Sequence, residues 1–281
     1  MDHTDFKKVL TDLAQTASKI RGRVVQMSHH SRAAHLGSAL SCVDILVALY
    51  FRMFDLDIEK WNGLRKDRFF LSKGHAAAAL YATLAFRGII DMDLLATYSR
   101  PGSLLEDHPG PSTLPGIEAA TGSLGHGLSL ATGTALADRI QKKDNKIFVL
   151  LSDGECNEGS VWEAAMFASG QKLNQITVII DFNKWQATGR SCEVSGIEPL
   201  VEKWKSFGFK TFEIDGHNMQ QIVETFETLY AGSEKPCAVI AHTVKGKGVS
   251  FMEDDNNWHY RIPTLEEVKM AKKELGLVFE D

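Results

Sequence analysis

Two short runs in this chain place oxygen ligands directly after apolar segments. Lys146-Ile147-Phe148-Val149-Leu150-Leu151 leads into Ser152-Asp153-Gly154-Glu155-Cys156-Asn157-Glu158-Gly159, and Ile176-Thr177-Val178-Ile179-Ile180 leads into Asp181-Phe182-Asn183. A carboxylate and a carboxamide oxygen suit a hard divalent cation, Mg²⁺ first, with Ca²⁺ or Mn²⁺ as alternatives, and such ions complete their shell with phosphate oxygens and water. Gly154 lets the backbone approach a ligand closely, and the free amides at the start of the following helix favour an anion. Either half alone reads as an ordinary turn after a strand. Together, about thirty residues apart, they point to a site for a divalent metal and a diphosphate.

The elements that must position these groups follow from periodicity. Both apolar runs have the β-rich character of buried parallel strands. Between them, Val161, Trp162, Ala164, Ala165, Phe167 and Ala168 recur at near-helical spacing from Ser160 to Gln171. The unit is therefore strand, turn, helix, strand, and a right-handed crossover sets the two strands side by side with their carboxyl ends at one edge. Asp153 and Asn183 then converge at the edge where open parallel sheets bind ligands.

The same pattern extends along the chain. Helices are predicted for Phe6–Met27, for Ser41–Phe54 with Ser41 or its neighbour as cap and Asp44 in the first turn, for Ala76–Phe86 and for Leu128–Gln141. Further helices are predicted near Ile197–Phe207, at Met219–Tyr230 and at Leu265–Leu275, and strands at Arg68–Leu71, Thr211–Ile214 and Ala238–His242. This alternation implies an α/β fold with a doubly wound, mainly parallel sheet and helices on both faces. Ser99–Gly127, with Pro101, Pro109, Pro111 and Pro115 among several glycines, cannot form a regular element, and a loop of that length is usually functional.

Histidines mark the loops. The chain has 10, and His35, His75, His108 and His259 stand at predicted element ends or in loops. A single histidine is more often structural; four in such positions suggest imidazoles that bond a phosphate oxygen or substrate hydroxyl and move a proton near neutral pH. Glu158, at a helix start, is favoured there by the helix dipole alone.

Composition excludes other classes. With 281 residues, 44% hydrophobic, and a formal charge of −5, the chain is expected to be a soluble globular protein in the cytoplasm. Lys and Arg form no run that would serve a nucleic acid. The start, Met1-Asp2-His3-Thr4-Asp5-Phe6, has no signal-like apolar core, and no apolar stretch reaches a membrane span. Cys42, Cys156, Cys192 and Cys237 are widely spaced and are expected to be free thiols, with Cys156 a bystander lacking a base.

The first two runs resemble the thiamine diphosphate signature, a strand ending in Gly-Asp-Gly and an Asn after a second strand, with Ser152 in place of the first Gly. Asp153–Gly159 together with Trp162-Glu163-Ala164-Ala165 resembles transketolase most, and the similarity runs from about Ser18 to His259. The resemblance implies one diphosphate-binding domain over residues 1–281, about half of a full transketolase. It implies that Asp153, Asn183 and the Trp185 carbonyl hold the metal, and that Gly154 and Glu155 belong to the cofactor site. By the same resemblance His75 contacts the diphosphate, His108 the sugar hydroxyls, and His259 both cofactor and substrate. His35 resembles the histidine of a Gly-His-Pro-Gly loop, with Ala34 and Leu36 as departures. Gly122-Ser123-Leu124-Gly125 resembles the Gly-Pro-Leu-Gly that contacts the aminopyrimidine, followed by His126 where Gln is common. Glu158 is implied to lie at a subunit interface. The chain thus resembles the amino-terminal subunit of a split transketolase that moves a two-carbon unit from a ketose to an aldose. Its partner, a separate carboxyl-terminal subunit in an α2β2 heterotetramer, would supply the activating Glu. The α subunit of a 2-oxo acid dehydrogenase, the deoxyxylulose phosphate synthase branch and a non-catalytic scaffold are the alternatives.

Overall fold

The computed structural model describes residues 3–54, 67–110 and 114–278; Met1, Asp2 and Pro111 of the segments discussed above lie outside them. Five strands, β1 (Arg68–Leu71), β2 (Ile147–Ser152), β3 (Ile176–Phe182), β4 (Lys210–Asp215) and β5 (Cys237–His242), form one sheet in the order β1-β2-β3-β5-β4, parallel at every pairing. The α-helices among the described residues are α1 (His3–Ser31), α2 (Leu36–Ser41), α3 (Val43–Ala48), α4 (Ala77–Phe86), α5 (Gly127–Ile140), α6 (Gly159–Gly170), α7 (Ser191–Val194), α8 (Leu200–Ser206), α9 (Met219–Tyr230) and α10 (Leu265–Glu274).

Strand order decides which face each crossover covers. From β2 through β3 to β4 the chain moves one way across the sheet, so right-handed connections put α6 and α8 on the same face; the return from β4 to β5 puts α9 on the other. The core divides accordingly. Val161 and Ala165 of α6, Trp204 of α8 and Leu128 of α5 pack with Ile147, Val149, Leu151, Val178 and Ile180. The alternate strand residues Phe148, Leu150, Ile179 and Val239 face Ile20, Leu46, Leu80 and Phe226 from α1, α3, α4 and α9. This period-2 alternation on strands buried on both faces explains why they read as unbroken apolar runs.

Several predicted boundaries are corrected: α1 extends beyond the expected Phe6–Met27 at both ends, and β3 runs past Ile180 to Phe182. The helix expected over Ser41–Phe54 is instead two elements, α2 ending at Ser41 and α3 continuing as a π-helix over Leu49–Met53. Ser41 caps nothing: its hydroxyl donates to Asp181 Oδ2 at 2.6 Å, a tertiary partner at the end of β3. The helix expected from Ile197 starts at Leu200, because Pro199 occupies its N-cap. From Ser99 to His126 no described residue lies in a helix or strand, as the prolines and glycines require.

One ionic anchor joins this scaffold. Arg21 of α1 donates to both oxygens of Asp44 in α3 at 3.0 and 2.7 Å, and His217 Nδ1 meets the same carboxylate at 2.8 Å. Burial alone would raise the Asp44 carboxyl, but Arg21 and His217 hold it down to about 2, against an ordinary 3.8. A depressed carboxyl stabilises the fold above its unfolded pKa and loses that contribution as pH falls toward the folded value. The stability advantage of the parent over Asp44→Asn, measured by urea unfolding, is therefore expected to be full at about pH 6 and to shrink by about 2 kcal/mol between about pH 4 and 2.

Candidate active site

The register of the sheet brings the two oxygen runs together. Ser152 pairs with Asp181, so Asp153 and Asn183 leave neighbouring strands at the same edge. The Lys184 amide, next to Asn183, donates to Asp153 Oδ2 at 2.9 Å, as does the Ser191 hydroxyl at 2.7 Å, while the Gly154 amide donates to Oδ1 at 2.9 Å. Asp153 is fully buried, and burial pushes its carboxyl up to about 6. Asn183 Oδ1 accepts from the Trp185 amide at 3.1 Å, a turn that folds the chain back over the same spot. A buried carboxylate whose charged form is disfavoured, on the strand end next to one that carries an amide oxygen, is a donor pair that a hard divalent cation fits. Among the described residues no cluster of three or more His, Cys, Asp or Glu offers another metal site.

Beneath this edge lies an ion pair that the motifs do not announce. Lys73 Nζ pairs with Asp181 Oδ2 and donates to the Ser38 carbonyl at 2.9 Å, and Asp181 also accepts from Ser41 and Thr243. Both side chains are without exposure. Burial opposes both charges, yet each holds the other ionised, so Lys73 is raised and Asp181 lowered. The available signal was Lys73 itself, a lysine between a strand end and Gly74-His75.

Four segments, two of them the 3₁₀ turns Gly74–Ala76 and Asn256–His259, bring four histidines to one cavity of about 410 Å³. The His35 ring centre lies 5.6 Å from His75, 5.5 Å from His108 and 5.1 Å from His259. His35 has a left-handed backbone, φ 66°, just before α2, and its amide donates to the His259 carbonyl at 2.7 Å, which locks the two loops together. Burial and then Lys73 push His75 well below its ordinary range; burial and then Lys245 push His259 down to about 3. These rings are neutral near pH 7 and keep an acceptor nitrogen each.

Lys245, also unanticipated, is buried with Nζ 2.7 Å from Asn256 Oδ1 and 3.1 Å from His259 Nδ1. Burial, then Lys73, lowers it to about 8. Its position three residues past β5 in Val244-Lys245-Gly246 was the missed cue. Lys245→Met removes the cation facing His259, so the His259 midpoint in an NMR pH titration is expected to rise by about one unit; an unchanged midpoint would leave burial, with His35 and Lys73, as the cause.

The remaining expected residues divide by placement. Gly122, Leu124, Gly154, Glu158, Asn183 and Trp185 line the cavity with the histidines. Gly122 has φ 138°, and a Cβ there would meet His108 at 3.0 Å; a Cβ on Gly74 would strike the Gly122 amide nitrogen at 2.7 Å, so the β1 turn and this loop touch backbone to backbone. Ser123 and His126 are exposed, with Ser123 Oγ 3.4 Å from His126 Nδ1, and neither lines the cavity. Glu155 stands behind the wall: its carboxylate accepts from Ser72 Oγ at 2.5 Å and from the Gly125 and Ser152 amides at 2.9 Å, tying three loops. Ser152 lines the cavity, with its hydroxyl 3.4 Å from Glu155 Oε2. Glu158 sits at the N-cap of α6, the helix start where the dipole favours it, makes no side-chain capping bond, and is exposed and lines the cavity. Cys156 is buried and its thiol pushed well above the usual range by burial, then by Asp153, which makes it inert.

The thiamine diphosphate binding domain of transketolase matches residues 13–280. This chain belongs to the transketolase family. It is 41% identical over 260 residues to one of the named subunits of the apulose-4-phosphate transketolase of Phocaeicola vulgatus, covering 92% of both. It is 40% identical over 264 residues to the 6-deoxy-6-sulfo-D-fructose transketolase subunit SqwG of Clostridium sp. (strain MSTE9), covering 94% of this chain and 96% of that one. The transketolase of Campylobacter jejuni superposes with a TM-score of 0.86 at 30% identity, over 94% of this chain but 43% of that one. The family member described here thus spans under half of that full-length transketolase and nearly all of the relatives named as subunits. It corresponds to the amino-terminal subunit of a split transketolase, which sets aside the 2-oxo acid dehydrogenase and deoxyxylulose phosphate synthase alternatives.

Proposed function

We propose that this chain is the cofactor-holding subunit of a two-component transketolase, transferring a two-carbon ketol unit from a ketose to an aldose. What supports the reading is the cavity itself, in which four histidines able to meet sugar hydroxyls adjoin an oxygen-rich edge suited to a metal and a diphosphate. Asp153 and Asn183, with the Trp185 carbonyl, would hold Mg²⁺; Gly154 and the amides after it would receive the diphosphate, and His75 would bond it. The Gly122–Leu124 loop would flank the aminopyrimidine. Bound thiamine diphosphate supplies the carbon that takes up the two-carbon unit. His35, His108 and His259 orient the sugar and carry the proton that leaves one hydroxyl and returns to the acceptor oxygen.

Glu158 is the one carboxylate among the described residues lining the cavity, and α6 places it at an exposed end. A partner subunit would supply the Glu that activates the cofactor. The exposed apolar side chains of α5 and α6, Leu130, Ile140, Met166 and Phe167, support burial against further chains, and we assign the assembly as α2β2. The two relatives named above carry a phosphate or a sulfonate in their substrates' names, so a ketose with a terminal anionic group is the class we extend to this chain. The test is reconstitution. The purified chain with Mg²⁺ and thiamine diphosphate is expected to show no ketol transfer, and addition of the carboxyl-terminal subunit is expected to start it. Turnover by the chain alone would overturn the reading, and calorimetry showing no cofactor binding by the assembled pair would favour a scaffold.

A further inference from the structure

Asp107 precedes His108 in the long loop, and the assignments above leave it without a task. Its Oδ1 accepts the Tyr98 hydroxyl at 3.0 Å, and Tyr98 is itself buried, packed edge-on against Tyr81. The carboxylate is therefore anchored from below. Its other oxygen lies 3.7 Å from His108 Nδ1 and 3.9 Å from His35 Nδ1. His35 Nδ1 is buried and has no hydrogen-bond partner. One carboxylate oxygen thus stands between the same edges of two cavity-lining imidazoles, a small movement short of a hydrogen bond to either. Catalytic hydrogen bonds are commonly this long before substrate binds.

We propose that Asp107 is the positioning carboxylate of the histidine cluster, holding His108 and His35 as their Nδ1–H tautomers so that Nε2 of each is left to receive a sugar hydroxyl. The inference rests on the ketol-transfer reading. A carboxylate only accepts, so the ring nitrogen turned to it must carry the proton, and the other nitrogen of a neutral imidazole must then be the acceptor. When the sugar's carbon–carbon bond breaks, the hydroxyl proton passes to Nε2, the O–H electron pair becomes the new carbonyl bond of the departing aldose, and the bonding pair stays with the two-carbon unit. The resulting imidazolium lies against Asp107. On transfer to the acceptor, the same proton returns to the acceptor's carbonyl oxygen.

The electrostatics agree in direction. Burial lowers the proton affinity of His35, Asp107 raises it again, and His108 and Lys245 oppose Asp107. The other groups facing His35 are the rings of His75, His259 and Tyr260, and those facing His108 are Asp107, His35 and His75. Without Asp107 the base loses proton affinity, and the acid limb of the pH profile must move to lower pH.

The experiment compares Asp107→Asn, Asp107→Glu and Tyr98→Phe in the assembled two-subunit enzyme. In Asp107→Asn, kcat is expected to fall about tenfold, with the acid limb of kcat/KM shifted down by about half a unit. Tyr98→Phe should move both quantities the same way by less, and Asp107→Glu should restore part of kcat. Nitrogen-15 NMR of the histidines supplies a readout independent of turnover: Nδ1–H tautomers at His35 and His108 in the parent, mixed tautomers in Asp107→Asn. Parent kcat, pH profile and tautomers in the Asn variant would overturn the proposal. If Asp107→Asn does not fold, parent values throughout in Tyr98→Phe would overturn it equally. A parent assembly that shows the tautomer response but no ketol transfer would instead defeat the functional reading.

Discussion

Replacing Asp153 with Asn is expected to lower the affinity of the assembled enzyme for Mg²⁺ and thiamine diphosphate by more than the roughly 10–100-fold that loss of an outer-shell partner costs. The side chain keeps its size, but it exchanges a buried carboxylate beside Asn183, one with no lysine or arginine among the described residues paired to it as Lys73 is to Asp181, for a neutral amide. That charge is poorly accommodated without a cation, since burial raises the carboxyl to about 6. A divalent ion favours the ionised form, so binding and ionisation reinforce one another at pH 7. The Asn amide also turns a donor toward hydrogen donors, because Asp153 accepts from the Gly154 and Lys184 amides and the Ser191 hydroxyl. Calorimetric titration with cofactor at saturating Mg²⁺ measures the effect, and parent-like affinity would remove Asp153 from the metal site.

The second large effect is structural. Lys73→Met strips the cation from Asp181 and leaves a carboxylate buried without compensation, which typically costs about 3–5 kcal/mol. At about 2–4 °C per kcal/mol, the melting temperature should fall by roughly 6–20 °C. Replacing both partners, Lys73→Met with Asp181→Leu, should recover much of the loss, because a buried pair exchanged for apolar groups is often neutral. The pH dependence gives a sign test. In the parent, burial would raise the Asp181 carboxyl, but Lys73, Ser41 and Thr243 hold it below 3.8, so the pair stabilises above about pH 4 and weakens below it. In Lys73→Met burial acts without Lys73, the carboxyl rises, and stability should increase as pH falls from about 7 to 5. A variant that melts like the parent would show that Asp181 is compensated by its two hydroxyl donors alone.

Much of the architecture was legible because its signals are local. Strands β1, β2 and β5 are largely apolar and Met219–Tyr230 carries strong helical periodicity, so their limits fell within one residue or matched, whereas β3 runs two residues past the expected Ile180, through Asp181 to Phe182. Asp153 and Asn183 were legible as a pair because a strand-helix-strand crossover leaves little freedom in where its two strand ends lie. The helix around Ser41 departs from expectation because a serine's local preference for capping lost to a carboxylate 140 residues away. Lys73, Lys245 and Asp107 were not legible for a related reason. Lysines and aspartates are ordinarily solvated, and a place beside a strand end is a cue that does not by itself say which of them folding will bury.

What the sequence determined by itself was the parallel α/β order, the oxygen-bearing side chains at two strand ends and the four histidines between the main elements, since each depends on residue type and short spacing. Only the tertiary structure decided that the four imidazoles meet around one cavity, that Glu155 ties loops behind its wall, and that Lys73 neutralises Asp181 beneath it. Those outcomes depend on which distant groups are desolvated together, and the strength of a charge or hydrogen bond is set by that shared burial, which spacing along a chain does not encode.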